Sequence, residues 1–124
     1  MNLVDSSAWL EYFADGPLAK VFARPIEDTA SLLVPTLSLY EVFKRVLQQR
    51  GDDAALAAVA IMEQGTVVDL DRATALAAAE ISVRHRIPMA DSIMLATARR
   101  RGATLWTQDS DFQGLDDVRY FARP

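Results

Sequence analysis

Short apolar runs alternate along the chain with longer segments in which apolar residues recur at helical spacing. The short runs are rich in leucine, valine and threonine, and they predict buried β-strands. We assign strands to residues 3–4, 31–34, 66–69 and 103–106, and a fifth strand at the sheet edge to residues 118–121. Each of the first three strands is followed by at least one segment of helical pattern.

The helical segments begin at capping residues and end at glycine or proline. The first begins at the caps at residues 5–7 and stops before residues 15–17, and a short second helix over residues 18–23 ends at Pro25. The remaining four helices are predicted over about residues 36–50, 52–65, 71–86 and 91–101.

This alternation of strands and helices indicates an α/β fold. Right-handed β-α-β units produce a mainly parallel sheet that is covered by helices on both faces. Functional sites in open sheets of this kind form beyond the carboxyl ends of the strands. Asp5 directly follows the first strand and Asp109 follows the fourth. We therefore expect these two carboxylates at the same edge of the sheet.

Composition narrows the possible functions. The 124 residues fit one domain over residues 1–124, and the absence of cysteine excludes disulfides and thiolate metal sites. A single histidine, His85, excludes catalysis by a histidine pair, and no glycine-rich phosphate loop is present. Because we find neither a signal peptide nor an apolar run of about 20 residues, we expect a cytoplasmic protein without membrane contact. The net charge of −4 argues against general binding to nucleic acid through overall basicity.

Several acidic residues have a structural explanation as well as a chemical one. Asp5 and Asp91 could each be a helix N-cap. Asp109 and Asp111 lie in a loop whose composition is typical of turns. Spacing alone therefore leaves both explanations open for these four residues.

Glu41 lies on the third predicted helix, on the side away from the apolar residues. Arg45 follows one turn later, and an acid–base pair at this spacing typically forms a weak, exposed ion pair. Periodicity alone therefore assigns Glu41 to the surface.

Taken together, the acids and their neighbours resemble the PIN domain. The motifs are Val4-Asp5-Ser6-Ser7, Glu41 early in its helix, Ala90-Asp91-Ser92, and the loop from Thr107 through Asp109 and Asp111 to Phe112. Their order and the chain length resemble VapC-type toxins of bacterial toxin–antitoxin pairs. The resemblance extends from residue 3 to about residue 121.

This resemblance implies a three-layer α/β/α sandwich whose acidic pocket binds Mg²⁺ or Mn²⁺ and hydrolyses RNA with metal-activated water. The implied catalytic and metal-binding residues are Asp5, Glu41, Asp91 and Asp109. We favour Asp109 as the last ligand, with Asp111 as an auxiliary group and with Ser6 and Thr107 orienting ligands or water. A non-catalytic PIN-fold module that binds a protein, and a structure-specific DNA nuclease, remain alternatives.

Partners are expected at two further regions. Arg84, Arg86, Arg99 and Arg100 are candidate RNA contacts, although arginines at residues 99–101 could equally complement a helix C-terminus. Aromatic residues on the first and third helices form stripes that are core in most proteins. The resemblance instead implies a groove for an antitoxin segment near Trp9, Tyr12, Tyr40 and Phe43. It also implies a homodimer.

Overall fold

The computed structural model describes all residues from Met1 to Pro124 and contains one sheet of five short strands. The strands are β1 (Asn2–Val4), β2 (Leu32–Pro35), β3 (Thr66–Val68), β4 (Thr104–Thr107) and β5 (Val118–Tyr120). Their order is β3-β2-β1-β4-β5, and every neighbouring pair is parallel. The expected parallel sheet, including its edge strand, is confirmed.

Six α-helices cover this sheet. They are α1 (Ser6–Phe13), α2 (Ala19–Glu27), α3 (Thr36–Arg50), α4 (Asp52–Met62), α5 (Arg72–His85) and α6 (Met89–Arg100). Single turns of 3₁₀ helix lie at Thr29–Ser31 and Ser110–Phe112. None of the helices is both long enough and apolar enough to cross a bilayer.

Two hydrophobic cores lie on opposite faces of the sheet, because successive strand residues point in opposite directions. Val4 and Trp106 belong to the core that α1, α2, α3 and α4 cover. Leu3 and Leu105 belong to the second core, which α6 covers and against which α5 also packs. The three-layer α/β/α arrangement is therefore confirmed.

The second helix is longer than the sequence suggests, because it continues through Pro25 to Glu27. Proline removes a backbone donor, but here the loss falls in the last turn of the helix. Phe22 and Ile26 on either side of the proline are buried in the first core. Burial of this apolar face offsets the lost hydrogen bond, so the expectation that Pro25 ends the helix is wrong.

The last helix begins earlier than expected, at Met89, and Pro88 occupies its N-cap position. The expected start at Asp91 is therefore wrong by two residues. Proline is favourable at a helix start, because its missing donor would have no partner there. Asp91 consequently lies inside the first turn, and its carboxylate is not a cap.

Candidate active site

Asp5 and Thr107 lie side by side where β1 and β4 end. Val4 is in register with Trp106, and the Asp5 N–H donates to the Trp106 carbonyl at 2.9 Å. Thr107 Oγ1 donates to Asp5 Oδ2 at 3.0 Å, and Ser7 Oγ donates to the same oxygen at 2.7 Å. Asp5 occupies the N-cap position of α1, but its side chain makes no capping hydrogen bond. The Ser7 and Thr107 hydroxyl groups therefore hold its carboxylate.

The buried position of Asp5 makes its anion unfavourable. Only 4% of the residue is exposed, and burial raises the pKa of Asp5 above its ordinary value. The Ser7 and Thr107 hydroxyls lower the pKa in part, whereas the neighbouring Asp109 charge raises it again. A cation beside Asp5 would favour its charged form.

Asp109 and Asp111 occupy the loop that follows β4. The Asp109 N–H donates to Thr107 Oγ1 at 2.9 Å, and the Asp111 N–H donates to Asp109 Oδ1 at 2.9 Å. The second bond caps the single 3₁₀ turn, and the fully buried Phe112 anchors that turn in the second core. The sequence-based view of this loop as a turn is therefore correct, and the turn presents both carboxylates.

Asp91 meets this loop from the first turn of α6. One carboxylate oxygen from each of Asp91, Asp109 and Asp111 lies within 4.8 Å of the other two. Burial raises the pKa of Asp91 to about 8, with further contributions from the charges of Asp5 and Asp109 and from its contact with Asp111. The structure thus brings together acids from α6 and the β4 loop, beside the acid that follows β1.

Glu41 is attached to the site through Ser6, whose Oγ donates to Glu41 Oε1 at 2.8 Å. Glu41 is half-buried and forms no ion pair with Arg45, so the surface pair that periodicity suggests is wrong. The buried face of α3 consists of Ser38, Val42 and Val46, which places Glu41 beside that face. Glu41 is not part of the group formed by the three aspartates.

Sequence reasoning missed two polar residues beside the acids, Ser7 and Gln108. Gln108 Nε2 donates to the Ser7 carbonyl at 3.3 Å, and Gln108 is almost completely buried. Each residue directly follows one that had been singled out, Ser6 or Thr107. Their roles depend on the pairing of β1 with β4, which brings residues about 100 positions apart into contact.

The basic residues lie apart from the acids. Arg84, Arg99 and Arg100 line a cleft of about 190 Å³ between α5 and α6, and Arg86 ends α5 in a left-handed conformation with φ 55°. Arg99 lies eight positions after Asp91 on α6, which corresponds to about 12 Å along the helix axis. Arg99 and Arg100 lie in the last turn of α6, where they also complement the helix C-terminus.

A groove of about 710 Å³ lies between α1, α3 and α4. Its apolar lining includes Leu10, Phe13, Val46, Ala58 and Ile61. At one end the lining includes Ser7 and Gln108, so the groove reaches the residues that hold Asp5.

The aromatic residues expected to form a partner groove do not line this one. Trp9 is fully buried and stacks on Phe13 with ring centroids 5.7 Å apart, so Trp9 lies behind the groove and offers no surface of its own to a partner. Tyr12 donates its hydroxyl to Glu27, and Phe43 packs against the first core. Tyr40 is exposed, and it also lies outside the groove. On α1, therefore, Trp9 belongs to the core, whereas Phe13 packs on Trp9 and also lines the groove.

Comparison with known proteins places this geometry in a family. The family model described as the PIN domain matches residues 3–118. A comparison with curated protein sequences finds no match.

Similar solved structures share the whole fold. A toxin–antitoxin complex from Klebsiella pneumoniae has a TM-score of 0.83 at 16% identity, over 99% of this chain and 100% of that chain. The VapC20 toxin of Mycobacterium tuberculosis, described as cleaving the sarcin-ricin loop, has a TM-score of 0.77 at 23% identity, over 96% and 99%. DNA-bound VapBC from Salmonella typhimurium has a TM-score of 0.75 at 15% identity, over 98% of both chains.

Proposed function

The chain belongs to the PIN-domain family, and from that membership we propose that it is an endoribonuclease that depends on Mg²⁺ or Mn²⁺. The observation that carries the proposal is the meeting of Asp91, Asp109 and Asp111 within 4.8 Å, beside the buried Asp5. Carboxylates held this close repel one another, and the raised pKa of Asp91 reflects that repulsion together with burial. A cluster maintained despite this cost is typical of a cation site.

The three aspartates fit a hard divalent ion. Mg²⁺ and Mn²⁺ prefer carboxylate oxygens, and two oxygens that bind one Mg²⁺ lie at most about 4.2 Å apart. The three carboxylate oxygens lie within 4.8 Å of one another, so side-chain rotations that move each oxygen by up to about 1 Å would bring all three to ligand distance of one ion. A bound ion would offset the negative charge of the phosphodiester and would lower the pKa of a water molecule bound to it.

The remaining polar residues of the site position these acids. Ser7 and Thr107 both donate to Asp5 Oδ2, which restrains the orientation of that carboxylate. Ser6, which directly follows Asp5 in the chain, donates a hydrogen bond to Glu41. We propose that Glu41 supplies a further carboxylate at the margin of the pocket. Asp5, Glu41, Asp91 and Asp109 thus remain the proposed catalytic set, and Asp111 joins them as a metal ligand.

We propose that the RNA also contacts the basic cleft between α5 and α6. Arg84 has no hydrogen-bond or ion-pair partner within the chain, so its guanidinium is free to bind a phosphate. Arg99 and Arg100 are partly engaged, since they donate to the Asp116 carbonyl and to Thr74 Oγ1. Because Arg99 in this cleft lies about 12 Å from Asp91 along α6, the cleft would bind phosphates of the RNA that are distant from the cleaved bond.

A role as the toxin of a type II toxin–antitoxin pair is the second part of the proposal. The similar structures include toxin–antitoxin complexes from Klebsiella pneumoniae and Salmonella typhimurium. The groove between α1, α3 and α4 offers Leu10, Phe13 and Ile61 to an apolar segment of an antitoxin. The apolar lining of this groove is therefore the proposed antitoxin surface, in place of a surface formed by the aromatic side chains of Trp9, Tyr12, Tyr40 and Phe43.

A homodimer completes the proposed assembly. Leu76 and Val83 on α5 and Met89 at the start of α6 are 62%, 83% and 74% exposed. Leu76 and Val83 lie two turns apart on the same side of α5, and exposed apolar residues on one helix side are typical of contact surfaces. Sedimentation of the wild-type chain and of Val83→Glu tests this part, and a wild-type monomer at all concentrations would contradict it.

Substrate competition tests the proposed activity. Structured RNA and single-stranded and double-stranded DNA of matched length are incubated together with the protein and Mn²⁺. We expect cleavage of the RNA alone, and none in EDTA. Preferential cleavage of DNA would instead support the structure-specific DNA nuclease, and no cleavage together with no metal-induced stabilisation would support the binding module.

A further inference from the structure

Gln108 contains a buried hydrogen-bond acceptor for which the chain supplies no donor. The residue is 7% exposed, its Nε2 donates to the Ser7 carbonyl at 3.3 Å, and its Oε1 is buried without a partner. Rotating the amide by 180° would place Oε1 against the Ser7 carbonyl, which is also an acceptor, so the observed orientation is the favourable one. An unmet buried acceptor is destabilising, and a ligand that donates a hydrogen bond would relieve it.

The residue that carries this unmet acceptor lines the end of the groove that reaches the acids. Ser7 and Gln108 both line the groove of about 710 Å³. The Ser7 hydroxyl holds Asp5 at 2.7 Å, and Asp109 directly follows Gln108 in the chain. A group bound to Gln108 Oε1 is therefore adjacent to the proposed site of phosphodiester cleavage.

The charge of the groove lining favours an anionic ligand. Its charged residues are Glu11, Arg45, Arg50 and Arg123. Glu11 is already engaged, because its Oε2 accepts a hydrogen bond from the Leu18 N–H at 2.8 Å. The three arginines make no ion pair within the chain. The groove therefore combines an excess of positive charge with an unmet acceptor.

Two of these arginines belong to segments that contact the Gln108 end. Phe121 donates its N–H to the Thr107 carbonyl at 2.9 Å, so the segment that carries Arg123 runs beside β4 and the residue that follows it. Arg45 lies one helical turn after Glu41, whose carboxylate contacts Ser6. Arg45 and Arg123 thus belong to segments that contact the chain neighbours of Ser7 and Gln108, and both line the groove.

We propose that the Ser7–Gln108 end of the groove binds one base of the RNA substrate, next to the cleaved phosphodiester, and that Gln108 Oε1 accepts a hydrogen bond from an N–H of that base. The inference rests on the proposed ribonuclease function. Bases of single-stranded RNA are recognised through their hydrogen-bonding edges and through contacts with their flat faces, for which Leu10 and Phe13 offer apolar surface. Arg45 and Arg123 fit the phosphates that flank such a base. Gln108 is then a specificity-determining residue.

Base-modified substrates test this assignment. Cleavage of RNA oligonucleotides randomised on both sides of one scissile bond identifies the preferred base. The preferred base is then replaced by analogues without its donors: purine riboside for adenosine, 2-pyrimidinone riboside for cytidine, or N3-methyluridine for uridine. Guanosine has two kinds of donor, so it is replaced by inosine, which lacks the 2-amino group, and separately by N1-methylguanosine, which lacks the N1–H. We expect the analogue to lower kcat/KM of the wild type by roughly 3- to 10-fold, as for the loss of one hydrogen bond.

Gln108→Met keeps the length of the side chain and removes the acceptor. We expect its kcat/KM on RNA with the natural base to be roughly 3- to 10-fold below that of the wild type, and its kcat/KM to be the same for the natural base and the analogue. Gln48→Met, an identical change at an exposed position of α3 outside the groove, is expected to behave as the wild type. Thermal midpoints of both variants verify that they are folded.

Three results would overturn the proposal. The first is equal cleavage of natural and analogue RNA by the wild type, which requires no variant. The second is retention of analogue discrimination by Gln108→Met. The third is a Gln108→Met variant that keeps its RNA selectivity but binds a protein partner more weakly, since this end of the groove would then bind the partner alone. Failure of the wild type to cleave any RNA with Mn²⁺ would instead contradict the proposed function itself.

Discussion

The Thr107 hydroxyl joins Asp5 to the loop that carries Asp109. Its Oγ1 donates to Asp5 Oδ2 at 3.0 Å and accepts from the Asp109 N–H at 2.9 Å. Thr107 is completely buried, so water does not compete for either bond. One side chain therefore sets the relative position of two acids that follow different strands.

Replacing this hydroxyl should impair the site more than the fold. Thr107→Val keeps the shape of the side chain but removes the donor to Asp5 and the acceptor for the Asp109 N–H. We expect Mn²⁺-dependent RNA cleavage to fall by roughly 10- to 100-fold, as for the loss of a group that orients metal ligands. The free energy of unfolding should fall by about 1–3 kcal/mol, because buried polar groups lose their partners.

Thr107→Ser is the matched control, since it restores the hydroxyl and lacks only a methyl group. Cleavage rates and urea unfolding curves are measured for both variants. Equal activity of Thr107→Val and the wild type would show that the hydroxyl does not organise the acids.

Asp91 should make the stability of the metal-free protein depend on pH. Its pKa is raised from 3.8 to about 8, so the folded state retains a proton that the unfolded state loses. The stabilising contribution of that proton is complete below pH 4 and is lost as the pH rises towards 8. The slope should be less than about 1 kcal/mol per pH unit, because the group is partly exposed.

Asp91→Asn removes this titration. In EDTA, its thermal midpoint minus that of the wild type should therefore increase between pH 5 and pH 8, by a few degrees in total. Asp69→Asn, at an exposed position after β3, controls for the change of charge. A difference that stays constant over this range would mean that Asp91 does not hold the extra proton.

The relative roles of Asp109 and Asp111 can be separated by metal titration. Both offer an oxygen to the three-aspartate group, although the sequence favours Asp109 as the ligand and Asp111 as an auxiliary group. We expect Asp109→Asn and Asp111→Asn each to weaken Mn²⁺ binding by at least about 10-fold. For the wild type, Mn²⁺ at 100 times its dissociation constant should add about 2.7 kcal/mol to the free energy of unfolding.

Calorimetric titration of the wild type, the two variants and Asp69→Asn measures these affinities directly. If Asp111→Asn bound Mn²⁺ as tightly as the wild type, Asp111 would be an auxiliary group only. If neither variant lost affinity, the three-aspartate group would not be the metal site.

Sequence reasoning located Asp5 and Asp109 because parallel strands end at a common edge, a rule that needs only the strand assignments. It did not place Glu41, because the Ser6 bond joins residues 35 positions apart and depends on how α1 packs on α3. Periodicity shows which side of a helix is apolar, but it does not show which residues of neighbouring helices contact its other sides. Ser7 and Gln108 were missed for the same reason, since only the β1–β4 pairing makes them neighbours.

The groove shows a different limit of sequence reasoning. Aromatic residues at helical spacing are compatible with a core and with a binding surface, and Trp9 belongs to the core. One side of the groove is instead formed by small residues of α4, such as Ala54, Ala57 and Ala58, which leave space between helices. Empty space of this kind has no signature in a hydrophobic pattern.

Binding of an antitoxin should depend on the α4 side of this groove. Ala57→Arg places a long charged side chain into the groove at an exposed position, so the fold should tolerate it. We expect the variant to lose co-purification with the product of a neighbouring antitoxin gene and to retain RNA cleavage. Leu56→Arg is the control, because Leu56 is 60% exposed on α4 but does not line the groove. Equal co-purification of both variants would place the partner elsewhere.

The most direct test of the account is the rate of RNA cleavage as a function of Mn²⁺ concentration for the wild type, Asp91→Asn and Asp69→Asn. We predict saturable, EDTA-sensitive cleavage by the wild type and Asp69→Asn, and a rate at least about 100-fold lower for Asp91→Asn. Equal rates for the three proteins, or cleavage that persists in EDTA, would contradict a metal-dependent site built on these aspartates.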